Sequence, residues 1–384
     1  MVEATVLTKV PGTVVPPIKL LVLASKAVGI APNQRFRLEQ WAPHLSGKHG
    51  VELEFAPFES PRLTEVLYRH GHFPEKAAWT LFDFVRRAGD VVKARKYDGV
   101  VIIREASLIG PAIYERALKA LGMPIIFDFD DTIWCELPAS GGQARNGIFS
   151  KLHFFGKTST ICRIASAVTP GNEFLAAYAR ERNDHVTVVP TTIELANYAP
   201  QPETPKEDPF VICWTGSTST LAHFEFARPA LELLAQRLPI EVKVICNEPP
   251  ATPIAGAKNS FIRWSPDNEA RDVGDCHVGI MPLPDNEITR GKCGLKALQY
   301  MATGRPVVVS PVGMNVDLVE HGVNGFLATT PKEYVDALLL LAGDAELRRK
   351  MGERARRTIE ERYSAEVAAG LFARVVREAL ARAS

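Results

Sequence analysis

The sequence predicts an α/β protein made of two doubly wound, Rossmann-like units that face a cleft. Apolar runs of strand length alternate with longer helical patterns through most of the 384 residues. This alternation is typical of parallel sheets covered by helices on both faces. A polar segment with four prolines, Tyr198–Pro209, interrupts the alternation and has the composition of a linker. Because such sheets bind ligands at the carboxyl ends of their strands, the cleft is the expected ligand site.

Short runs rich in apolar and β-branched residues are the expected strands, and periodic stretches are the expected helices. The strands are Lys19–Ala24, Val51–Phe55, Val100–Ile103, Ile125–Phe129, Ala167–Thr169, Val186–Val189, Phe210–Trp214, Ile240–Ile245, Val278–Met281 and Pro306–Ser310. The helices include Arg35–Leu45, Leu63–Lys96 with a break at Pro74, Ala112–Leu121, Ala222–Leu238, Cys293–Ala302, Pro331–Ala342 and Ala345–Tyr363.

Composition argues against nucleic acid as a partner. The chain has 45 basic and 44 acidic residues and a formal net charge of +1, so it lacks the global field that gathers nucleic acid. Its six cysteines are scattered without metal-clip spacing, as in a reduced cytosolic protein. The first residues show no signal-peptide pattern, and no apolar run approaches the ~20 residues of a membrane span. A cytoplasmic protein is expected, with peripheral contact at the inner face of the membrane left open.

The segment Val278–Ala328 predicts a phosphate site. Two strand ends there lead through glycine-bearing loops onto helix starts, whose free N–H groups and positive dipole end suit phosphate. Arg290, Lys292 and Lys296 add cationic side chains at the same place. The alternative is that these are solvated surface charges beside an ordinary helix C-cap at Gly304.

This part of the chain resembles the donor-binding half of retaining GT-B glycosyltransferases of family four. The resemblance is carried by Gly294-Leu295 through Gln299-Tyr-Met-Ala302, by Gly304-Arg-Pro-Val-Val-Val-Ser310 and by His321-Gly-Val-Asn-Gly-Phe-Leu327. Trp214-Thr-Gly-Ser217 is similar to the first donor-domain loop, and Arg354–Ser364 to the closing helix. The resemblance implies a GT-B fold and transfer of a sugar from a nucleoside-diphosphate sugar. It also implies no separate cofactor and no metal.

The sequence departs from the family at positions that contact the donor. Two glutamates eight positions apart are usual, but their places hold Gly291 and Gln299. The family's later double glycine is matched only by Gly313-Met314. Our hypothesis is that Arg290, Lys292 and Lys296 neutralise the leaving diphosphate, since fixed cations stabilise developing negative charge.

The resemblance assigns donor contacts to the loops of the second unit and domain roles to each part of the chain. The candidate donor-binding residues are Gly216, Ser217, Arg263, Trp264, Arg290, Gly291, Lys292, Cys293, Gly294, Leu295, Lys296, Gln299, Gly313 and Asn315. The expected division is an acceptor-binding domain over residues 1–200, a linker over 201–209, a donor-binding domain over 210–362 and a helix over 363–384 that crosses back to the first domain. Acceptors of three kinds stay open: a sugar, a lipid-linked group or a small molecule.

Two features of the first unit are candidates for acceptor or phosphate contact. Arg35 and Arg37 follow the first strand and could face a phosphate or an acidic acceptor; a basic helix start is the alternative. Asp128, Asp130 and Asp131 crowd at a strand end, where one could orient or deprotonate an acceptor hydroxyl. A solvated helix-capping turn is the alternative for them.

The acidic turn also supports a rival function. Asp-x-Asp-x-Thr after an apolar strand resembles the nucleophile motif of haloacid-dehalogenase-like phosphatases, in which Asp128 would attack phosphate and Asp130 would act as acid or base. A third hypothesis is a transferase-like binding protein without turnover, because the usual glutamates are missing.

The helical region Arg62–Lys96 mixes aromatic and basic residues. Such a helix can dock on a membrane surface. The alternative is an ordinary core face opposite a solvated face.

Overall fold

The first unit is built on a parallel sheet of five strands in the order β2-β1-β3-β4-β5. The computed structural model describes residues 16–67, 69, 71–135, 154–201 and 209–383, and the statements that follow concern these residues. The strands are β1 (Ile18–Ala24), β2 (Val51–Pro57), β3 (Gly99–Ile103), β4 (Ile125–Phe129) and β5 (Ala167–Pro170). The three central strands are almost entirely buried, which explains their continuous apolar sequence.

Helices cover this sheet and its carboxyl edge. They are α1 (Pro32–Gln34), which continues through a π-turn (Arg35–Glu39) into α2 (Gln40–His49), and then α3 (Pro61–Leu67), α4 (Phe73–Lys93), α5 (Ile113–Ala120), α6 (Lys157–Ile164) and α7 (Glu173–Arg180).

The second unit is a parallel sheet of six strands in the order β11-β10-β9-β6-β7-β8. Its strands are β6 (Phe210–Thr215), β7 (Ile240–Cys246), β8 (Lys258–Arg263), β9 (Val278–Met281), β10 (Val307–Val309) and β11 (Phe326–Leu327). Its helices are α8 (Leu221–Glu225), α9 (Arg228–Ala235), α10 (Glu269–Gly274), α11 (Glu287–Arg290), α12 (Leu295–Ala302), α13 (Asn315–Leu318), α14 (Pro331–Gly343) and α15 (Ala345–Arg362). The predicted fold class, two doubly wound parallel sheets, is confirmed.

Helix α16 (Ala365–Ala381) packs on the first sheet although it follows the second unit in sequence. Phe372 lies against the Trp41 ring of α2 at a centroid distance of 5.6 Å. The chain crosses over where Ile193 and Ser364 form an isolated parallel bridge. Both connections between the two units therefore run side by side, and residues 202–208 of the predicted linker lie outside the described residues.

The structure corrects two predicted elements and adds one strand. Val186–Val189 forms only a single bridge, between Val168 and Val186, instead of a strand. The helix expected over Ala222–Leu238 is divided into α8 and α9, because Pro229 lies in the first turn of α9, where its ring would clash inside a continuous helix. Strand β8 was not predicted, because it lies at the sheet edge and carries few apolar residues.

Within the described residues, no helix combines the length and the apolar character needed to cross a bilayer.

Candidate functional site

The carboxyl ends of β4 and β5 meet the loop between α11 and α12 across a narrow cleft. Asn172, which caps α7, donates its side-chain amide to the carbonyl oxygens of Arg290 and Lys292, both at 3.1 Å. The Nζ atom of Lys292 lies 2.8 and 3.1 Å from the carboxylate oxygens of Asp131. Backbone and side-chain contacts thus hold the two units together at this point.

Glycine is required on both sides of this contact. A Cβ on Gly291 would overlap the Thr132 methyl, and a Cβ on Gly171 would come within 2.5 Å of the Cys293 sulfur. The place where the related family has its first glutamate therefore has no room for a side chain. Gly313, at φ +60°, packs in the same way against the carbonyl oxygens of Arg290 and Lys292.

The three candidate phosphate cations occupy different environments. Arg290 is exposed and forms a surface ion pair with Asp285, at 2.6 Å from Nε to the carboxylate. Lys292 pairs with Asp131 across the cleft. In the described part of the chain, Lys296 has no carboxylate within 4.0 Å. Its Nζ lies 4.6 Å from the centre of the Trp214 ring and 3.4 Å from the Thr220 hydroxyl.

Burial and a neighbouring like charge determine the electrostatics around Lys296. Burial, reinforced by the charge of Lys292, lowers the pKa of Lys296 to about 7. Burial and then the two lysines likewise lower the pKa of His223 to about 4, so that the imidazole is neutral. Gly294, in left-handed conformation at φ +69°, is the N-cap of α12, and Lys296 lies in the first turn of that helix, beside its free N–H groups.

Arg37 and Asp128 form a fully buried ion pair and do not face the cleft. The guanidinium of Arg37 donates to both carboxylate oxygens of Asp128, at 2.6 and 2.8 Å, and also to the Val189 carbonyl. Thr169 donates a further hydrogen bond to Asp128 at 2.7 Å. The predicted roles of Asp128 with the acceptor and of Arg37 with phosphate are contradicted, because all their polar contacts are with the protein interior.

Asp130 and Asp131 are the members of the acidic turn that reach the cleft, with side-chain exposures of 14% and 24%. The sequence analysis missed their partner Arg104, which follows β3 and donates to Asp130 at 2.7 and 2.9 Å. Its position one residue beyond a strand next to β4 is the signal that could have revealed it. Arg104 has φ +61°, a strained conformation for a residue other than glycine that is often stored at functional sites.

The pKa of Asp131 lies below its ordinary value. Burial alone would raise it, but Lys292 and Arg104 together outweigh that effect. Asp131 is therefore ionised at neutral pH and is a weak base.

A second hydrogen-bonded network, centred on Glu269, joins the two units. Glu269, which sequence analysis also missed, accepts from Arg35, from the Tyr198 hydroxyl and from the Trp264 indole, each at 2.8 Å. Gln299 in turn donates to the Tyr198 oxygen at 2.8 Å. Arg35 thus pairs with a carboxylate of the opposite unit, and the Gln299 amide nitrogen is bonded to Tyr198.

The remaining donor candidates lie in different environments. Gly216 lies so close to the Trp214 ring that a Cβ would overlap it. Cys293 is buried and donates to the Asp130 carbonyl at 3.3 Å, and Asn315 is buried with its amide bonded to Ser310. Ser217 and Arg263 are exposed, and Leu295 is half-buried.

Two facing Rossmann-like units with the ligand cleft between them define the GT-B class of fold. Residues 209–344 match the model of the family described as Glycosyl transferases group 1. Solved GT-B structures cover nearly the whole chain. HepE from Anabaena, in complex with UDP and glucose, has a TM-score of 0.63 at 16% identity and covers 94% of this chain and 99% of its own. Sucrose-phosphate synthase from Thermosynechococcus elongatus has a TM-score of 0.63 at 15% identity and covers 96% and 100%.

A curated relative is similar to this chain over a short stretch. The N-acetyl-alpha-D-glucosaminyl L-malate synthase of Bacillus anthracis is 36% identical over 75 residues, which are 19% of this chain and 20% of that protein. The match thus spans about a fifth of the relative's length. The second unit therefore matches the model of the Glycosyl transferases group 1 family, and the chain as a whole has the GT-B fold.

The Arg37–Asp128 pair is expected to be structural. Asp128→Ala leaves a buried guanidinium without its counter-charge and should lower the free energy of unfolding by about 3–5 kcal/mol. The double variant Arg37→Met, Asp128→Leu should recover much of that loss. Urea unfolding measures both, with Asp285→Ala, which removes an exposed partner, as the control. A fully stable Asp128→Ala protein would contradict the assignment.

Proposed function

We propose that the protein transfers a glycosyl group from a nucleoside-diphosphate sugar to an acceptor hydroxyl in the cleft. The proposal depends mainly on the environment of Lys296. This half-buried cation lies at the start of α12 and has no carboxylate partner in the described chain. A diphosphate bound there would restore the pKa of the lysine and receive the free N–H groups of the helix. Lys292, in the loop just before that helix, is the second ligand.

UDP is the proposed nucleotide. HepE is described in complexes with UDP and with UDP-glucose, and its fold covers this chain almost completely. The loop Arg263–Pro266 is the proposed contact of the base, with Trp264 held in place by Glu269. The domain roles follow: residues 210–362 bind the donor, residues 1–200 bind the acceptor, 201–209 link them, and 363–384 tie the second domain to the first.

On the acceptor side, Asp130 and Asp131 orient the hydroxyl, and Arg104 fixes both carboxylates. Because Lys292 and Arg104 keep Asp131 ionised and weakly basic, the departing phosphate is the stronger base for the acceptor proton. If the acceptor hydroxyl gives its proton to the leaving phosphate, it attacks the donor sugar from the face that the nucleotide leaves. Transfer by this route would retain the anomeric configuration.

A phosphatase is disfavoured because its nucleophile would be Asp128, which is sealed beneath Arg37. A nucleotide-binding protein without turnover is the second candidate, favoured by the absence of a carboxylate at positions 291 and 299. Sugar transfer or its absence separates that candidate from the transferase.

UDP affinity should depend on the charge of Lys296. Since burial lowers its pKa to about 7, the lysine loses its proton as the pH rises, and the dissociation constant of UDP should increase roughly tenfold between pH 7 and 8.5. UDP itself stays fully ionised in this range, because phosphate groups have a second pKa of about 6. Calorimetric titration across the range measures the effect.

Matched variants isolate that lysine. Lys296→Arg remains protonated and should flatten the pH dependence, whereas Lys296→Ala should bind UDP at least about tenfold more weakly at pH 7. Lys332→Ala, on the exposed face of α14, is the control. A wild-type affinity that does not change with pH would sink the assignment of Lys296 to the diphosphate.

Asp131 should oppose nucleotide binding while it serves the acceptor. Asp131→Asn removes a negative charge that competes for Lys292, so UDP should bind about threefold to fivefold more tightly. Asp285→Asn, which removes the partner of Arg290 on the surface, should leave affinity unchanged. The same titration measures both variants, and weaker binding by Asp131→Asn would place that residue among the donor ligands instead.

Transfer is expected to need no divalent metal, because Lys292, Lys296 and the α12 terminus supply the positive charge. With a UDP-sugar donor, excess EDTA should leave the initial rate unchanged. Proton NMR of the first-formed product should show the donor's anomeric configuration. A rate abolished by EDTA, or an inverted product, would contradict this mechanism.

A further inference from the structure

Helix α4 is inverted relative to an ordinary surface helix. Its buried residues are mostly polar, and they include Lys76, Thr80, Asp83 and Arg87. Its exposed residues are mostly apolar. Among them Phe73, Leu81, Phe82, Val85 and Val92 are 55%, 65%, 53%, 65% and 66% exposed.

The polar inner face is explained by where α4 lies. Arg87 donates to the carbonyl oxygens of Ala24 and Ala56, at 3.0 and 2.8 Å, close to the ends of β1 and β2. Arg86 donates to Pro57 at 2.8 Å. The helix thus donates hydrogen bonds to backbone carbonyl groups at the carboxyl edge of the sheet, where the Ala24 carbonyl also accepts from the Phe58 N–H. Its apolar residues have no place in the core and face outward.

The outer face forms a stripe that ends in positive charge. Ala77, Ala78, Leu81, Phe82, Val85, Ala88, Gly89 and Val92 repeat at helical spacing and are all exposed. Arg95 and Lys96, one turn beyond Val92, are exposed and continue the stripe. Between Lys76 and Ala94, a segment described throughout, both carboxylates (Asp83 and Asp90) lie off the exposed face.

We propose that this face, the α4 stripe with Arg95 and Lys96, docks on a lipid bilayer that carries anionic headgroups. An apolar helix face that ends in basic residues, with its one exposed acid, Glu75, at the opposite end, is complementary to the interface of such a bilayer. A second copy of the chain is a poorer occupant on grounds of area. The helix has 21 residues, so its outer face is ~30 Å long and ~10 Å wide. That area of ~300 Å² is well below the ~800 Å² per partner of a stable protein interface.

The position of the stripe has a consequence for the cleft. Helix α4 lies on the carboxyl edge of the first sheet, the edge that also carries Arg104 and Asp130. Docking through α4 therefore brings that edge, and the proposed acceptor side of the cleft, to the bilayer surface. The docking itself does not rest on the proposed function.

Vesicle flotation of the full-length protein tests the proposal. The wild-type protein should float with vesicles of phosphatidylcholine and phosphatidylglycerol and bind far less to phosphatidylcholine alone. Leu81→Gln with Val85→Gln should reduce the partition coefficient at least about tenfold. Arg95→Gln with Lys96→Gln should reduce it about 20-fold on anionic vesicles. Leu340→Gln, at a residue 55% exposed on α14, is the matched control and should float as the wild type does.

The apolar variant changes only exposed residues, and thermal unfolding by circular dichroism verifies its fold. Failure of the wild-type protein to float with anionic vesicles would overturn the proposal. So would undiminished flotation of both double variants. Sedimentation velocity gives the other decisive outcome: a wild-type dimer that Leu81→Gln with Val85→Gln abolishes, without vesicle binding, would assign the stripe to a second copy. UDP titration of the same variants should match the wild type, which separates this test from the proposed function.

Discussion

The close approach of the two units at Gly171 and Gly291 is the constraint on which the site depends. Because neither residue has a side chain, the loop before α12 reaches the ends of β4 and β5, where Asn172 binds its carbonyl groups. Lys292 then pairs with Asp131, so the acidic turn of the first unit and the loop before α12 in the second unit belong to the same site. A glutamate at position 291 would force the two units apart. The close approach that makes the cleft narrow therefore also explains why this chain has glycine where the family usually has glutamate.

That approach also explains how charge is distributed in the cleft. Two of the three candidate cations are in ion pairs: Arg290 pairs with Asp285 on the surface, and Lys292 pairs with Asp131 inside the cleft. Lys296 is left desolvated and without a counter-charge in the described chain, which is a costly arrangement unless a ligand completes it. The buried Arg37–Asp128 pair has the opposite character, because every strong contact it makes is internal. Its cost is offset within the protein, and it fixes the shape of the acidic turn.

In helix α4, too, charged side chains are turned inward to groups of the protein that accept hydrogen bonds. Backbone carbonyl groups at the ends of β1 and β2 require donors, and Arg86 and Arg87 supply them. The polar side of an amphipathic helix is thereby turned inward, and its apolar side is left for an external partner. An amphipathic pattern therefore does not reveal which side faces the core, because that depends on what the helix packs against.

The two parallel sheets, the loop that precedes α12 and the resemblance to glycosyltransferases could all be recognised in the sequence alone. These follow from local patterns: buried strands are continuous apolar runs, and glycines before α12 mark a backbone turn. Which of the neighbouring charged side chains are buried in ion pairs and which face the cleft could be seen only in the folded protein. Asp128 and Asp131 are three residues apart, yet one is sealed beneath Arg37 and the other faces Lys292. Arg104, Glu269 and Tyr198 were not predicted because each acts through a partner distant in sequence. Ion pairing and burial depend on distances in space, and the order of residues along the chain does not contain those distances.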